Sequence, residues 1–391
     1  MNRPIRVMML GLRGFPEVQG GVETHAEHLC PLLVEMGCDV TVLVRSSYQP
    51  AEIGPEWKGV KFVSLWAPKS KGLEAFLHSF LGLLYAGYKR PDILHIQGIG
   101  PAIMTLPARL FGLRVVVTYH SPNYDHQKWG MFARFVLQLG ERWGMRWSNG
   151  RIVISKVFAD LVRSKHGVES ALIPNGVDLP QLPDSIGALD RFGLKPGRYV
   201  LLVSRLVPEK RHLDLIAAFK QADLPDWKLV LVGSADHPDS YQREVMKKAA
   251  ESGVVMTGFQ RGLALQELYA HAGLFALPSS HEGLPIALLE ALSYGLPVLA
   301  SDIPANLEVG LPAEHYFPLG GIEVFADRIR QMSIKGLTLT TIERESRRGW
   351  VSQRYDWLDI AKKTLGLYVS CLGGSRISIQ FPSIPLFQRG K

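Results

Sequence analysis

The chain has 391 residues, 47% of them hydrophobic and 20% charged, with a formal net charge of +8; this is a globular composition, long enough for two ordinary domains. Its three cysteines, Cys30, Cys38 and Cys371, make no metal or redox spacing and argue for a reducing compartment. The apolar run at 7–12 is too short for a signal peptide, and the longest apolar stretch, at 72–88, carries Glu74 and His78 and falls short of a span, so the expectation is a cytoplasmic protein that crosses no membrane.

In chain order, the first half alternates Val/Ile/Leu-rich runs with helical patterns: IRVMML (5–10), a helix at 22–36, DVTVLV (39–44), KFVSL (61–65), a helix at 73–88, DILHI (92–96), RVVVTY (114–119), a helix at 131–147, RIVIS (151–155) and SALIP (170–174). After a loop at 175–197 the pattern restarts with YVLLVS (199–204), a helix at 210–221, KLVLVG (228–233), a helix at 239–252 and VVMTG (254–258). It continues with a helix at 264–272, LFALP (274–278), a helix at 285–294 and PVLAS (297–301). Near-continuous apolar strands separated by helices predict parallel sheets covered on both faces. Two such series predict two doubly wound, Rossmann-like α/β domains facing each other across a cleft, with ligands beyond the carboxyl ends of the strands. The tail at 373–391 has no period and reads as poorly ordered.

Charge divides unevenly. Residues 1–175 hold 20 Lys and Arg against 13 Asp and Glu, whereas residues 176–391 hold 24 against 23. A one-sided balance suits an acidic partner for the first half, such as a membrane surface, a phosphorylated lipid or nucleic acid, although a modest basic excess is also common in soluble proteins.

Several strand ends carry candidate chemistry. In LGLRGFPEVQGGVETHAEHL, Gly20 and Gly21 directly precede a helix and would let backbone N–H groups approach a phosphate. The dinucleotide fingerprint and the P-loop are both absent, and the second strand ends in Arg45 rather than in an acid for a ribose; a merely mobile glycine loop is the competing reading. In VSRLVPEKRHLDLI, Arg205 follows a strand and Lys210 opens a helix, a cation pair suited to a diphosphate or, without that context, two surface charges. In HEGLPIALLEALSYGLP, Glu282 lies just outside a helix that Pro285 opens and Glu290 lies within it, with a Gly-Leu-Pro turn able to bring both carboxylates onto one wall. The exposed N–H groups of Gly283 and Leu284 suit an anion. The bland alternative is a surface helix with a wet face.

This last stretch resembles the Glu-(seven residues)-Glu motif of the retaining family 4 glycosyltransferases, whose fold is GT-B. Five further landmarks occur with it and in the family's order: Gly20-Gly21, the strand ending in Tyr119-His120, Pro174-Asn175-Gly176-Val177-Asp178, Ser204-Arg205 with Lys210, and Thr257-Gly258-Phe259. The resemblance implies a GT-B architecture with an acceptor-side domain at 1–176, completed by a crossover helix at about 355–372, and a nucleotide-sugar domain at 177–354. It implies that Arg205, Lys210, Gly20 and Gly21 hold the donor diphosphate and that Glu290 binds the ribose. Gly258 and Phe259 would receive the base, and Glu282, Gly283, Leu284 and Pro285 the transferred sugar. His120 and Glu282 become the catalytic pair.

The activity implied is transfer of a hexose-type sugar, with retention, from a UDP- or GDP-sugar to a glycan or polyprenyl-diphosphate-linked acceptor in bacterial surface polysaccharide assembly. The chain contains no Asp-x-Asp, so no metal or other cofactor is expected. Segment 126–151 places Trp129, Phe132, Phe135, Val136, Leu139, Trp143 and Trp147 among Lys128, Arg134, Arg142, Arg146 and Arg151. It suits either weak contact with an anionic membrane or packing into the first domain. A nucleotide-sugar epimerase on the same architecture is the main alternative. A non-catalytic nucleotide- or nucleic-acid-binding protein is a weaker one, since no nucleic-acid module or dense basic run is present.

Overall fold

The computed structural model describes residues 3–18, 20–48, 53–68, 73–122, 130–235, 239–337 and 339–373. Residues 374–391 of the tail, and 126–129 of the aromatic–basic segment, lie outside the described residues. The chain forms two compact units, one of residues 1–174 and 357–391 and one of residues 175–356.

The first unit holds strands β1 (Ile5–Leu10), β2 (Cys38–Arg45), β3 (Glu56–Trp57), β4 (Val60–Leu65), β5 (Ile93–Gln97), β6 (Val115–Tyr119), β7 (Gly150–Val153) and β8 (Ala171–Leu172). Its helices are α1 (Gly21–Glu35), α2 (Leu73–Lys89), α3 (Thr105–Leu110), α4 (Met131–Trp147) and α5 (Lys156–His166). The sheet order is β3-β4-β2-β1-β5-β6-β7-β8, parallel except for the β3–β4 edge pair. Register is set by apolar pairs in the middle of the sheet, such as Val7 with Val40 and with Ile93. Alternation along β1 sends Val7 and Met9 to one face, where they join Leu29 and Leu33 of α1 in a single core. On that face also lies the helix that returns late in the chain, Trp357–Cys371, through Trp357, Ile360, Leu365 and Tyr368. On the other face Leu10 and Leu43 meet Gly82 of α2. A Cβ at Gly140 would collide with the Ile99 carbonyl, so glycine is what lets α4 lie close to the segment after β5.

The second unit holds α6 (Gly187–Phe192), β9 (Tyr199–Val203), α7 (His212–Ala222), β10 (Lys228–Val232), α8 (Ser240–Glu251), β11 (Val255–Gly258), α9 (Gly262–Ala270), β12 (Leu274–Leu277), α10 (Ile286–Ser293), β13 (Val298–Ser301), α11 (Pro304–Leu307), β14 (Tyr316–Phe317), α12 (Ile322–Leu337) and α13 (Thr341–Arg354); the returning helix is α14. Its sheet is wholly parallel, in the order β11-β10-β9-β12-β13-β14. Chain order reverses between β9 and β12 here and between β1 and β5 in the first unit, the switch points at which doubly wound sheets bind ligands.

The structure differs from the sequence reading in several places. The 175–197 loop contains α6, and α5 was not assigned. The helix expected at 210 begins at His212, because Arg211 adopts a left-handed conformation (φ 49°) between a short 3-10 turn at Pro208–Lys210 and α7. Pro285 is the residue preceding α10 and not its first helical residue.

Inside the first unit, His95 joins β6 and α14: Nε2 is 2.7 Å from Thr118 Oγ1 and Nδ1 is 2.7 Å from the Tyr368 hydroxyl, all fully buried. We expect Tyr368→Phe to destabilise the first unit by about 1–3 kcal/mol, because it strands a buried imidazole nitrogen. Urea denaturation of the two proteins measures the difference.

Candidate active site

At the β9–β12 switch point, two loops bring the cation and carboxylate of the sequence reading together. Lys210 Nζ donates to Glu282 Oε1 at 2.5 Å, with both side chains largely sheltered. The loops are tied by the backbone as well, since Ser280 N–H donates to the Glu209 carbonyl at 2.8 Å. Arg205 stands half-buried one residue beyond Ser204 at the end of β9. After Glu282, Leu284 and Pro285 turn inward and Gly283 stays half-exposed at the entrance to α10.

Helix α10 is not a wet-faced surface helix. Leu288, Leu289, Ala291, Leu292 and Ser293 are all buried, and Gly295 (φ 74°) closes the turn that leads into β13. Half-buried Glu290 accepts a hydrogen bond from the Tyr269 hydroxyl at 2.8 Å, while Tyr269 stacks on Tyr294 at 5.1 Å. Burial, reinforced by the neighbouring carboxylate, holds the Tyr269 phenol well above its ordinary pKa, so it remains a donor. The two glutamates therefore have different partners, Lys210 for Glu282 and Tyr269 for Glu290. At the end of β11, Gly258 (φ 71°) turns the chain and leaves Phe259 42% exposed.

In the first unit, the β1–α1 loop is held by a bidentate pair. Arg13 Nε and Nη2 lie 3.0 and 3.2 Å from the two Glu23 oxygens, and the side chains cross above Gly20, where a Cβ would strike both. Burial opposes ionisation of Glu23, but the Arg13 charge and hydrogen bonds outweigh it and hold the carboxyl below its usual range. An acid in the first turn of α1 would repel an anion at that helix N-terminus; Arg13 neutralises it. Gly21 is the first residue of the helix.

His120, directly after β6, is buried and lies with Nε2 2.8 Å from Gln97 Oε1 at the end of β5. Because Gln97 Oε1 can only accept, Nε2 carries the hydrogen and Nδ1 keeps a lone pair. Burial and the nearby His95 push the His120 pKa down to about 3, so the ring is neutral. His25 of α1 packs edge-on against it at 5.4 Å and also meets Trp357, linking α14 to this strand end. Gln97, Arg13 and Tyr269 were missed by the sequence reading. A polar residue ending the apolar strand ILHIQ was the available signal for Gln97; Arg13 and Tyr269 act through contacts that no local pattern encodes.

The model of the family described as "Glycosyltransferase Family 4" matches residues 19–181, and that of "Glycosyl transferases group 1" matches residues 191–349. The chain belongs to the family 4 glycosyltransferases. The amylovoran biosynthesis glycosyltransferase AmsD of Erwinia amylovora is 25% identical over 284 residues, covering 72% of this chain and 77% of that one. A GDP-mannose-dependent alpha-(1-6)-phosphatidylinositol monomannoside mannosyltransferase of Mycolicibacterium smegmatis is 28% identical over 329 residues, covering 75% and 80%. Among solved structures, sucrose-phosphate synthase from Thermosynechococcus elongatus matches with a TM-score of 0.80 at 21% identity, over 95% of this chain and 100% of that one, a likeness of GT-B fold.

This glycosyltransferase buries three histidines whose pKa values fall to about 3: His95 and His120 in the first unit and His212 in the second. Each is neutral when folded and takes up a proton on unfolding below pH 6.5. The stability it contributes is complete above that pH and is lost as pH falls toward 3, by up to about 1.4 kcal/mol per pH unit per histidine. Thermal midpoints should therefore drop between pH 7 and pH 5; equal midpoints at the two would contradict neutral burial.

Proposed function

We propose that this enzyme transfers a hexose-type sugar from a UDP- or GDP-sugar to a hydroxyl of a glycan or polyprenyl-diphosphate-linked acceptor, with retention and without a metal, in bacterial surface polysaccharide assembly. The observation that carries the proposal is the Lys210–Glu282 pair beside Arg205 at the β9–β12 switch point. Cations there suit a diphosphate leaving group, and a carboxylate within reach of them suits sugar hydroxyls. The polysaccharide and lipid-acceptor settings of the two curated relatives support the acceptor class.

The residues divide the work. Arg205 and Lys210, with Gly20 and Gly21 as backbone contacts, stabilise charge that develops on the departing diphosphate. Glu282, Gly283, Leu284 and Pro285 surround the transferred sugar, and Glu290, oriented by Tyr269, takes the ribose hydroxyls. Gly258 and Phe259 meet the base. His120, neutral with a free Nδ1 lone pair, accepts a hydroxyl hydrogen of sugar or acceptor. With Glu282 engaged by Lys210, the acceptor oxygen attacks the anomeric carbon on the face the diphosphate leaves, and its proton passes to the departing oxygen.

The acceptor side includes a membrane surface. On the first unit, α2 exposes Leu73, Phe76, Phe80, Leu84 and Tyr88 along one stripe, and α4 exposes Met131 and Phe135 beside Arg134, Arg142 and Arg146. Val136, Leu139 and Trp143 are half-buried, and Arg151 is spent on the Met145 and Ser148 carbonyls, so only part of the 126–151 segment is available. Among the described residues no helix is long and apolar enough to cross a membrane. Apolar pegs among cations suit peripheral binding to an anionic bilayer, at the cytoplasmic face.

A panel of nucleotide sugars with a lipid-diphosphate-linked acceptor, scored by product mass and anomeric configuration, tests the reaction. Inverted product, or conversion of the donor without acceptor, would overturn it. We expect Glu290→Gln chiefly to weaken donor binding, about tenfold or more, since a hydrogen bond to a charged group is worth roughly 1.5–3 kcal/mol. His120→Ala should chiefly lower kcat. Vesicles containing anionic lipid should sediment the enzyme at low salt, and Phe135→Ser with Arg142→Ala should reduce the bound fraction.

A further inference from the structure

Behind the Arg205–Lys210 end of β9 lies a chain of three polar side chains to which the reading above gives no task. Ser204 Oγ is 2.9 Å from His212 Nε2, and His212 Nδ1 is 3.2 Å from the Tyr241 hydroxyl. Ser204 is 9% exposed and His212 only 1%. Ser204 immediately precedes Arg205, and His212 opens α7 two residues after Lys210.

The hydrogens along this chain follow from counting donors and acceptors. The Tyr241 oxygen accepts the backbone N–H of His212 at 2.9 Å. Its own hydrogen is then directed at His212 Nδ1, 3.2 Å away. Burial, with the Lys210 charge adding to it, pushes the His212 pKa down to about 3, so the ring is neutral. A neutral imidazole that accepts at Nδ1 carries its hydrogen on Nε2 and donates it to Ser204 Oγ. His212 is the partner that Ser204 Oγ has among the described residues. The serine therefore receives one hydrogen bond and keeps its own hydrogen to donate.

We propose that Ser204 is a further donor-binding residue, whose hydroxyl is held in the donating role by the Tyr241–His212 chain and hydrogen-bonds a phosphate oxygen of the nucleotide beside Arg205 and Lys210. His212 and Tyr241 are positioning residues that act through it. The inference rests on the diphosphate reading of this strand end and adds a directional, uncharged donor to two charges. Arg205 and Lys210 attract any anion, whereas a hydroxyl of fixed polarity selects where an acceptor oxygen sits.

Calorimetric titration of the full chain with UDP and with GDP tests this, reading whichever binds more tightly. Ser204→Ala should raise Kd about tenfold or more, and Tyr241→Phe should raise it less. If Ser204→Ala binds like the unaltered protein while Arg205→Ala is weakened, the inference is overturned and the diphosphate reading stands. If neither substitution weakens binding, both fall. Histidine 15N resonances of the unaltered protein supply a readout that no folding defect can obscure. They should report hydrogen on Nε2 of His212, and a mixture of tautomers in Tyr241→Phe. Hydrogen on Nδ1 in the unaltered protein would overturn the inference.

Discussion

Parallel strand pairing is the constraint from which the rest of this molecule follows. A parallel neighbour cannot be reached by a tight turn, so strands such as β1, β9, β10 and β12 hand over to a helix that crosses back, and the strand-to-helix loops collect along one sheet edge. In the second unit β9 lies between β10 and β12, which brings Lys210 against Glu282 across a separation of 72 residues. In the first unit the same geometry places Gln97 beneath His120 and aligns both with the β1–α1 loop. Side chains from remote positions meet because the sheet order leaves their loops no other place.

The two units treat charge differently. The strand end of β9 carries Arg205, Lys210 and Glu282, sheltered but not fully buried. The strand ends of β5 and β6 carry neutral groups, His120 and Gln97, with His95 and Thr118 behind them. Burial enforces that neutrality, because a protonated imidazole there would lose its hydration without gaining a counter-charge. Glu23, in the first turn of α1, is compensated by Arg13 in a bidentate pair.

How far the sequence could be read depended on how local each cause was. Strands such as IRVMML and YVLLVS were legible because burial on both faces leaves a continuous apolar run. Helix α5 carried its own signals, Ser155 capping the Phe158 N–H and left-handed Gly167 closing the helix, but it is short and was passed over. Helices α12 and α13 were not assigned; α13 is largely polar, and its capping box of Thr340 and Glu343 is a cue that hydrophobic periodicity does not show. The start of α7 was misplaced by two residues since the left-handed Arg211 follows from the 3-10 turn packed before it, not from residue preference. The glutamates were placed at a strand end by pattern, while Tyr269 as the partner of Glu290 emerges only from the packing of α9 on α10.

By itself the sequence determined two doubly wound α/β series, the residue types at their strand ends and, through six ordered landmarks, the family. These depend on periodicity and spacing, which act along the chain. Only the tertiary structure decided which side chains share a site and in which protonation state. Lys210 holds Glu282, Tyr269 holds Glu290, Gln97 sets the hydrogen on His120, and Tyr241 faces Nδ1 of His212. Each is a hydrogen bond between residues at least 21 positions apart, which no local pattern along the chain encodes.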